Sequence, residues 1–150
     1  MISTLILPGA FRGQIADEAR AAFPRECCGL IEGVREGETA RVNALHPTRN
    51  LAERADRFEI DPAEHMRLLR ALRGTGHEII GCYHSHPNGR AQPSEHDRAS
   101  AGEEDFVWLI AALAGEKSAV ELVAFAGSSF RPLRVIDRPP ALDVGQDRKL

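Results

Sequence analysis

The segment Tyr83–Asp97, YHSHPNGRAQPSEHD, carries the residues of this chain whose types and spacing best suit chemistry. It places two histidines two residues apart and, after a short loop, Ser94 and Asp97 three residues apart. Side chains alternate faces along a strand, so His84 and His86 would point the same way and converge on one ion. With Asp97 as third ligand, one tetrahedral position stays open for water, as in catalytic zinc sites. The segment therefore predicts a metal site in a hydrolase that uses activated water.

Each part of this pattern also has an ordinary structural explanation. Ser94 and Asp97 match the S-x-x-D spacing of a capping box, in which both side chains bind backbone N–H groups at a helix start. An H-x-H pair at a strand end also occurs without a metal. His96 is a rival ligand, although it lies about 100° around the helix from Asp97, so both would not face one ion. The metal site is favoured because the strand, the HxHP motif, the short loop and the capped helix occur together.

A metal hydrolase also needs a general base that is not itself a ligand. Glu26 is a candidate because it begins an apolar strand directly after Pro24, where packing gives no reason for a carboxylate. A solvated strand end explains the same residue more simply. The residues alone therefore do not choose the base.

Helical and strand periodicities indicate the elements that must position these residues. The predicted helices are 11–23, 62–73 and 94–101, and the predicted strands are 3–7, 26–33, 40–45, 58–60, 77–87, 106–114, 119–127 and 130–136. A polar loop is expected at 46–56. Helices and strands alternate at first and strands follow one another later, which predicts an α+β fold. We expect a single three-layer domain over 1–137, with a central twisted mixed sheet flanked by helices, and a flexible tail at 138–150.

Composition narrows the class of protein. The chain has 150 residues, 43 % apolar and 27 % charged, with a net charge of −3 and no block of basic residues. Nucleic acid and anionic membrane are therefore not the expected partners, and no apolar run approaches the roughly 20 residues of a membrane span. Three cysteines without a CxxC pair are typical of a reducing compartment. These observations predict a cytoplasmic protein and leave a homodimer open.

In these residues the chain resembles the JAMM (MPN-plus) zinc metalloproteases, and by its length the short bacterial members. The family pattern is a glutamate in an early strand, then HxHP, then SxxD. Here it is matched by Glu26 in PRECCGLIEG, by the histidines of GCYHSHP and by PSEHD. The resemblance covers most of the chain, including the RFEIDP segment at 57–62, and implies a cytidine-deaminase-like MPN/JAMM fold.

The resemblance implies a role for each matched residue. His84, His86 and Asp97 would hold one Zn²⁺ per chain, with water in the fourth place. Glu26 would take the proton of that water and pass it to the leaving amine. Ser94 would donate a hydrogen bond to the oxyanion of the tetrahedral intermediate.

The resemblance also implies a substrate class. It suggests a peptidase or isopeptidase that cleaves the amide bond after the Gly-Gly end of a ubiquitin-like or sulfur-carrier protein, for example to release cysteine from a carrier adduct. The carrier tail would lie extended beside a strand edge. Three alternatives stay open: a catalytically silent MPN-type interaction module, a DNA-repair-associated protein of the related fold, and a cysteine hydrolase that uses Cys27 or Cys28.

Overall fold

The computed structural model of the protein describes residues 1–140. These residues form seven strands and three helices: β1 (Thr4–Ile6), α1 (Gly9–Ala22), β2 (Cys28–Glu36), β3 (Thr39–Thr48), α2 (Pro62–Leu72), β4 (Glu78–His86), α3 (Glu95–Ser100), β5 (Val107–Ala112), β6 (Glu121–Ala126) and β7 (Arg131–Ile136).

The strands form one closed, mixed barrel in the order β1-β3-β2-β4-β5-β6-β7. β1 closes it by pairing in parallel with β3 on one side and with β7 on the other. β4 and β5 also run parallel, whereas β2 pairs antiparallel with both β3 and β4. The strands on either side of the two motif histidines therefore come from distant parts of the chain.

The three-layer α+β arrangement predicted from the sequence is wrong. The sheet closes into a barrel, and the helices outside it have 14, 11 and 6 residues. Apolar runs identify the strands, but closure depends on backbone pairing at both edges of β1, which has three residues. Side-chain periodicity carries no information about that pairing, so an open sheet and a barrel have the same sequence pattern.

Helix starts follow their sequence signals closely. Asp61 caps α2, since its side chain accepts a hydrogen bond from the Ala63 N–H at 2.9 Å and Pro62 occupies the first turn. The S-x-x-D capping box at the start of α3 is confirmed. α1 begins at Gly9, two residues before its predicted start, and Pro8 directly precedes its first turn.

The segment between β3 and α2 differs from the prediction. The strand predicted at 58–60 is wrong, because one isolated bridge between Asn50 and Ile60 forms there instead. β3 extends to Thr48, into the predicted loop. Phe58 and Ile60 pack partly buried against a second apolar cluster, so their apolar character reflects packing and not strand pairing.

The register between β2 and β4 positions the motif. Cys28 lies opposite His84 in this antiparallel pair. The pairing continues beyond β2, because the Ser85 N–H donates to the Cys27 carbonyl at 3.1 Å and the Cys27 N–H donates to Ser85 Oγ at 2.8 Å. Continuing the register by one residue places Glu26 opposite His86, and alternation puts both on the face that carries His84.

No helix within residues 1–140 is long and apolar enough to cross a membrane. The predicted domain boundary at residue 137 stays a prediction. Residues 141–150, most of the predicted tail, lie outside the described residues.

Two glycines give opposite predictions for stability. A Cβ at Gly81 in β4 would overlap the Val107 backbone of β5, whereas a Cβ at Gly13 in α1 meets nothing. We expect Gly81→Ala to lower the free energy of unfolding by about 1–3 kcal/mol through overpacking. Gly13→Ala should raise it by about 0.4–1 kcal/mol, because it restricts the unfolded chain. Urea unfolding of both variants measures the difference, and equal midpoints would contradict the close β4–β5 contact.

Candidate metal centre

The buried polar side chains of residues 1–140 gather at one place. Tyrosine and cysteine aside, they are Glu26, His84, Ser85, His86 and Asp97, each at most 6 % exposed. Burying several ionisable groups is costly unless they bind each other or a metal. The four ionisable side chains, those of Glu26, His84, His86 and Asp97, lie close together beside one face of β4, which indicates a site and not general packing.

Three side-chain atoms converge at the centre of this group. His84 Nε2 lies 3.0 Å from His86 Nε2. Asp97 Oδ2 lies 3.2 Å from the first and 3.1 Å from the second. Ligand atoms 2.0–2.1 Å from one tetrahedral ion lie roughly 3.3 Å from each other, so this spacing fits a zinc-sized ion.

The hydrogen bonding of His86 also fits a metal ligand. Its Nδ1 lies 2.9 Å from the Arg90 carbonyl, which can only accept. That bond assigns the proton to Nδ1 and leaves the Nε2 lone pair of a neutral ring facing His84 and Asp97. Backbone carbonyls commonly hold ligating histidines in this way.

His84 is held differently. Its Nδ1 is buried and has no hydrogen-bond partner in residues 1–140. The ring instead stacks on Phe58, with centroids 4.2 Å apart and planes 20° apart, and meets the edge of Trp108. Burial lowers the pKa of His84, which favours the neutral ring that a metal requires.

Asp97 supplies a carboxylate that stays ionised. Burial opposes its charge, but the adjacent His84 and His86 rings and the Ser94 backbone N–H outweigh burial and hold the pKa of Asp97 well below its usual range. The same Oδ2 accepts from the Ser94 N–H at 2.9 Å. Asp97 therefore completes the capping box and faces both histidines at once.

Ser94 keeps its hydroxyl hydrogen available. Its Oγ accepts from the Asp97 N–H at 3.0 Å, so capping uses an oxygen lone pair. A serine hydroxyl has two acceptor sites and one donor. Capping and donation to a substrate are therefore compatible, and Ser94 lines the cleft beside His86.

Glu26 lies next to the converging atoms. One of its carboxylate oxygens and a ring nitrogen of each histidine lie within 4.8 Å of one another. Within residues 1–140 it forms no side-chain hydrogen bond to either ring, so Asp97 is the closer third ligand. Burial raises the pKa of Glu26 to about 8, where one carboxyl can both take up and return a proton.

Two cavities border the group. A cleft of about 340 Å³ is lined by Glu26, His86, Arg90 and Ser94. A larger, mainly apolar cavity of about 710 Å³ is lined by Phe58 and His96. The structure therefore brings together all five predicted site residues and leaves the rival ligand His96 outside the cleft.

The cysteine alternative loses support from the structure. Burial raises the pKa of Cys27 to about 12 and also raises the pKa of Cys28 and of Cys82. A thiol nucleophile needs a lowered pKa. All three thiols are free, and Cys28 and Cys82 are buried.

Sequence reasoning missed several residues that hold the site. Ser85 looks like a spacer between two histidines, yet its Oγ binds the backbone beside Glu26. Arg90 acts through its carbonyl, which any residue would offer. Phe58 belongs to the RFEIDP segment, but nothing in that segment indicates that its ring stacks on His84.

Comparison with known proteins identifies the family. Residues 9–125 match a family model described as prokaryotic homologs of the JAB domain. The chain belongs to this family. The JAMM resemblance drawn from the HxHP and SxxD motifs is thereby confirmed.

Named relatives of this JAB-domain protein include two enzymes. The chain is 36 % identical over 138 residues to a desampylase of Haloferax volcanii, covering 89 % of this chain and 96 % of the relative. It is 33 % identical over 102 residues to a probable TtuB-protein conjugate cleaving protease of Thermus thermophilus, covering 60 % and 66 % of the two chains. The solution structure of protein DSY2949 from Desulfitobacterium hafniense is similar, with a TM-score of 0.76, 27 % identity and coverage of 93 % and 96 %.

Zn²⁺ binding should raise the free energy of unfolding, and this stabilisation should require His84. At a free Zn²⁺ concentration about 100 times the Kd, binding adds about 2.7 kcal/mol to the free energy of unfolding. For a domain of this size that raises Tm by roughly 5–10 °C. Mg²⁺ should have little effect, because it prefers oxygen ligands in octahedral geometry.

Thermal melts of metal-free protein with each ion measure this stabilisation. His84→Ala should abolish the Zn²⁺ shift, and His96→Ala, the matched control outside the cleft, should keep it. Equal shifts in both variants would mean that the ion binds elsewhere.

Proposed function

We propose that this protein is a zinc-dependent isopeptidase that cleaves the amide bond after the Gly-Gly end of a ubiquitin-like protein. The observation that carries the proposal is the convergence of His84, His86 and Asp97 beside the buried carboxyl of Glu26. The desampylase and conjugate-cleaving names of two relatives support the substrate class. A release of cysteine from a sulfur-carrier adduct belongs to the same bond chemistry and is the second substrate to test.

The three converging residues would hold the metal. Two imidazoles and one carboxylate form the donor set of catalytic zinc sites, which leave one position open. Zinc there supplies Lewis acidity, which polarises a carbonyl oxygen and lowers the pKa of water toward about 7. The protein contributes rigidity, since the Arg90 carbonyl orients His86 and the Phe58 ring orients His84.

Glu26 would move the proton. Its carboxylate lies close enough to the histidine nitrogens for one water molecule to fit between them. From there it would take a proton from the attacking water and return it to the leaving amine nitrogen. Its burial keeps bulk water from competing for that proton.

Ser94 would stabilise the oxyanion. Its Oγ–H remains free after capping and lines the same cleft as Glu26. A donor already oriented by the capping box would bind the developing charge without reorganising.

An extended substrate tail has a strand edge available. β3 pairs with β1 over Thr39–Arg41, which leaves the 42–48 edge of β3 without a strand partner within residues 1–140. Added strands bind such edges through backbone hydrogen bonds and so tolerate glycine. The alternative of a catalytically silent interaction module gives no reason for His84, His86 and Asp97 to converge beside the buried carboxyl of Glu26.

Removal of the Glu26 carboxylate should greatly slow turnover and leave the bound metal in place. We expect Glu26→Gln to lower kcat by about 10²–10⁴-fold, because general acid–base catalysis contributes that much. Glu36→Gln, the same change at the exposed far end of β2, is the matched control. Cleavage of an isopeptide conjugate and of a carrier–cysteine adduct is measured alongside bound zinc.

Glu26→Gln activity at the wild-type level, or activity that survives chelation, would exclude the mechanism. Zinc without cleavage of either substrate would reject the substrate class alone.

Ser94→Ala separates capping from catalysis. It should cost about 1 kcal/mol of stability through the lost cap. It should also lower kcat by about 10²-fold through the lost oxyanion donor. Asp61→Ala removes the cap of α2 and should cost similar stability without changing kcat. If both variants lose stability and neither loses activity, Ser94 is a cap only.

A further inference from the structure

The side chain of Asn50 joins two parts of the backbone beside the metal centre. Its Oδ1 accepts hydrogen bonds from the Ala52 N–H at 2.9 Å and the Glu59 N–H at 3.0 Å. Its Nδ2 donates to the Arg57 carbonyl at 2.9 Å and to the Glu26 carbonyl at 3.0 Å. One amide thus closes the loop 50–59 on itself and ties it to the residue proposed as the base.

No other residue type reproduces this set of bonds at that size. A carboxamide offers two N–H donors and two acceptor lone pairs, and Asn50 uses all four. Aspartate keeps the acceptors and loses both donors, while serine has a single donor. Position 50 therefore requires asparagine for all four hydrogen bonds, and another polar residue would lose at least one of them.

The backbone at Glu26 has few other restraints. β2 begins at Cys28, so Glu26 lies outside the regular ladder. The neighbouring Cys27 is held by its bonds with Ser85, and the Arg25 guanidinium donates to the Ala52 carbonyl at 2.6 Å. Within residues 1–140 the Glu26 carbonyl itself is held by Asn50.

We propose that Asn50 is a positioning residue that aims the Glu26 carboxyl at the metal centre by fixing the Glu26 backbone. The inference rests on the proposed function, but the bonds that carry it are separate from the metal ligands. Within residues 1–140 the Asn50 side chain forms its hydrogen bonds with backbone groups and none with His84, His86 or Asp97, so its loss should move the base and leave the metal in place. Displacement of a catalytic group by about 1 Å can cost about 10²-fold in rate.

The first test needs no activity. In metal-free Asn50→Asp, hydrogen–deuterium exchange at the Cys27 and Cys28 amides should quicken by about fivefold, since a lost hydrogen bond is worth about 1 kcal/mol. Exchange at the His84 and His86 amides should stay near the wild-type rate. The Ser85 amide is left out of this criterion because it donates to the Cys27 carbonyl. Unchanged exchange at Cys27 and Cys28 would overturn the proposal whatever the enzyme does.

The second test separates rate from binding. Asn50→Asp should bind one zinc per chain with wild-type affinity and lower kcat by about 10–100-fold with KM nearly unchanged. Glu36→Gln, at the exposed far end of β2, is again the control and should match wild type. A rise in KM alone would assign Asn50 to the substrate groove, and a loss of zinc would assign it to the metal ligands; either result overturns the proposal.

The test still applies if Asn50→Asp misfolds or if the wild-type protein cleaves neither substrate. If Asn50→Asp fails to fold because its charge faces two carbonyls, Asn50→Ala removes the same donors without that charge, and the same criteria apply. If wild-type protein binds zinc but cleaves neither conjugate nor adduct, the proposed function fails, while the exchange measurement still tests the position of Glu26.

Discussion

The site depends on the antiparallel register of β2 against β4. Cys28 lies opposite His84, and the continuation of that pairing brings Glu26 opposite His86. A shift of one residue would turn Glu26 to the other face of the sheet, away from both rings. Two interactions stabilise this register. Ser85 binds the backbone of Cys27, and a large apolar cluster packs on the sheet face opposite His84 and His86.

The candidate metal centre lies between the end of strand β4 and the start of helix α3. β4 contributes two rings at fixed spacing, and the capped start of α3 contributes a carboxylate whose orientation the capping box determines. The two explanations of S-x-x-D, a helix cap and a proposed metal ligand, are therefore compatible for Asp97. Its two histidine contacts and its bond to the Ser94 N–H all involve Oδ2.

The loop between β3 and α2 links the chemistry to the surface. Asn50, near the start of this loop, holds the backbone of Glu26, and Phe58 stacks on His84. The same ring lines the larger apolar cavity. A substrate that presses on this loop would thus contact the supports of both the proposed base and a proposed ligand.

The types and local spacing of the site residues could be read from the sequence. H-x-H in a strand puts two rings on one face, and S-x-x-D and Asp61-Pro62 start helices, because these relations are set within a few residues. The strands were also largely predictable, whereas the closed barrel was not, since closure is a matter of backbone pairing at β1. The position of Glu26 depends on a pairing between segments about sixty residues apart. The roles of Ser85, Asn50 and the Arg90 carbonyl depend on contacts that leave no periodic pattern in the sequence, so tertiary packing alone brings them to the site.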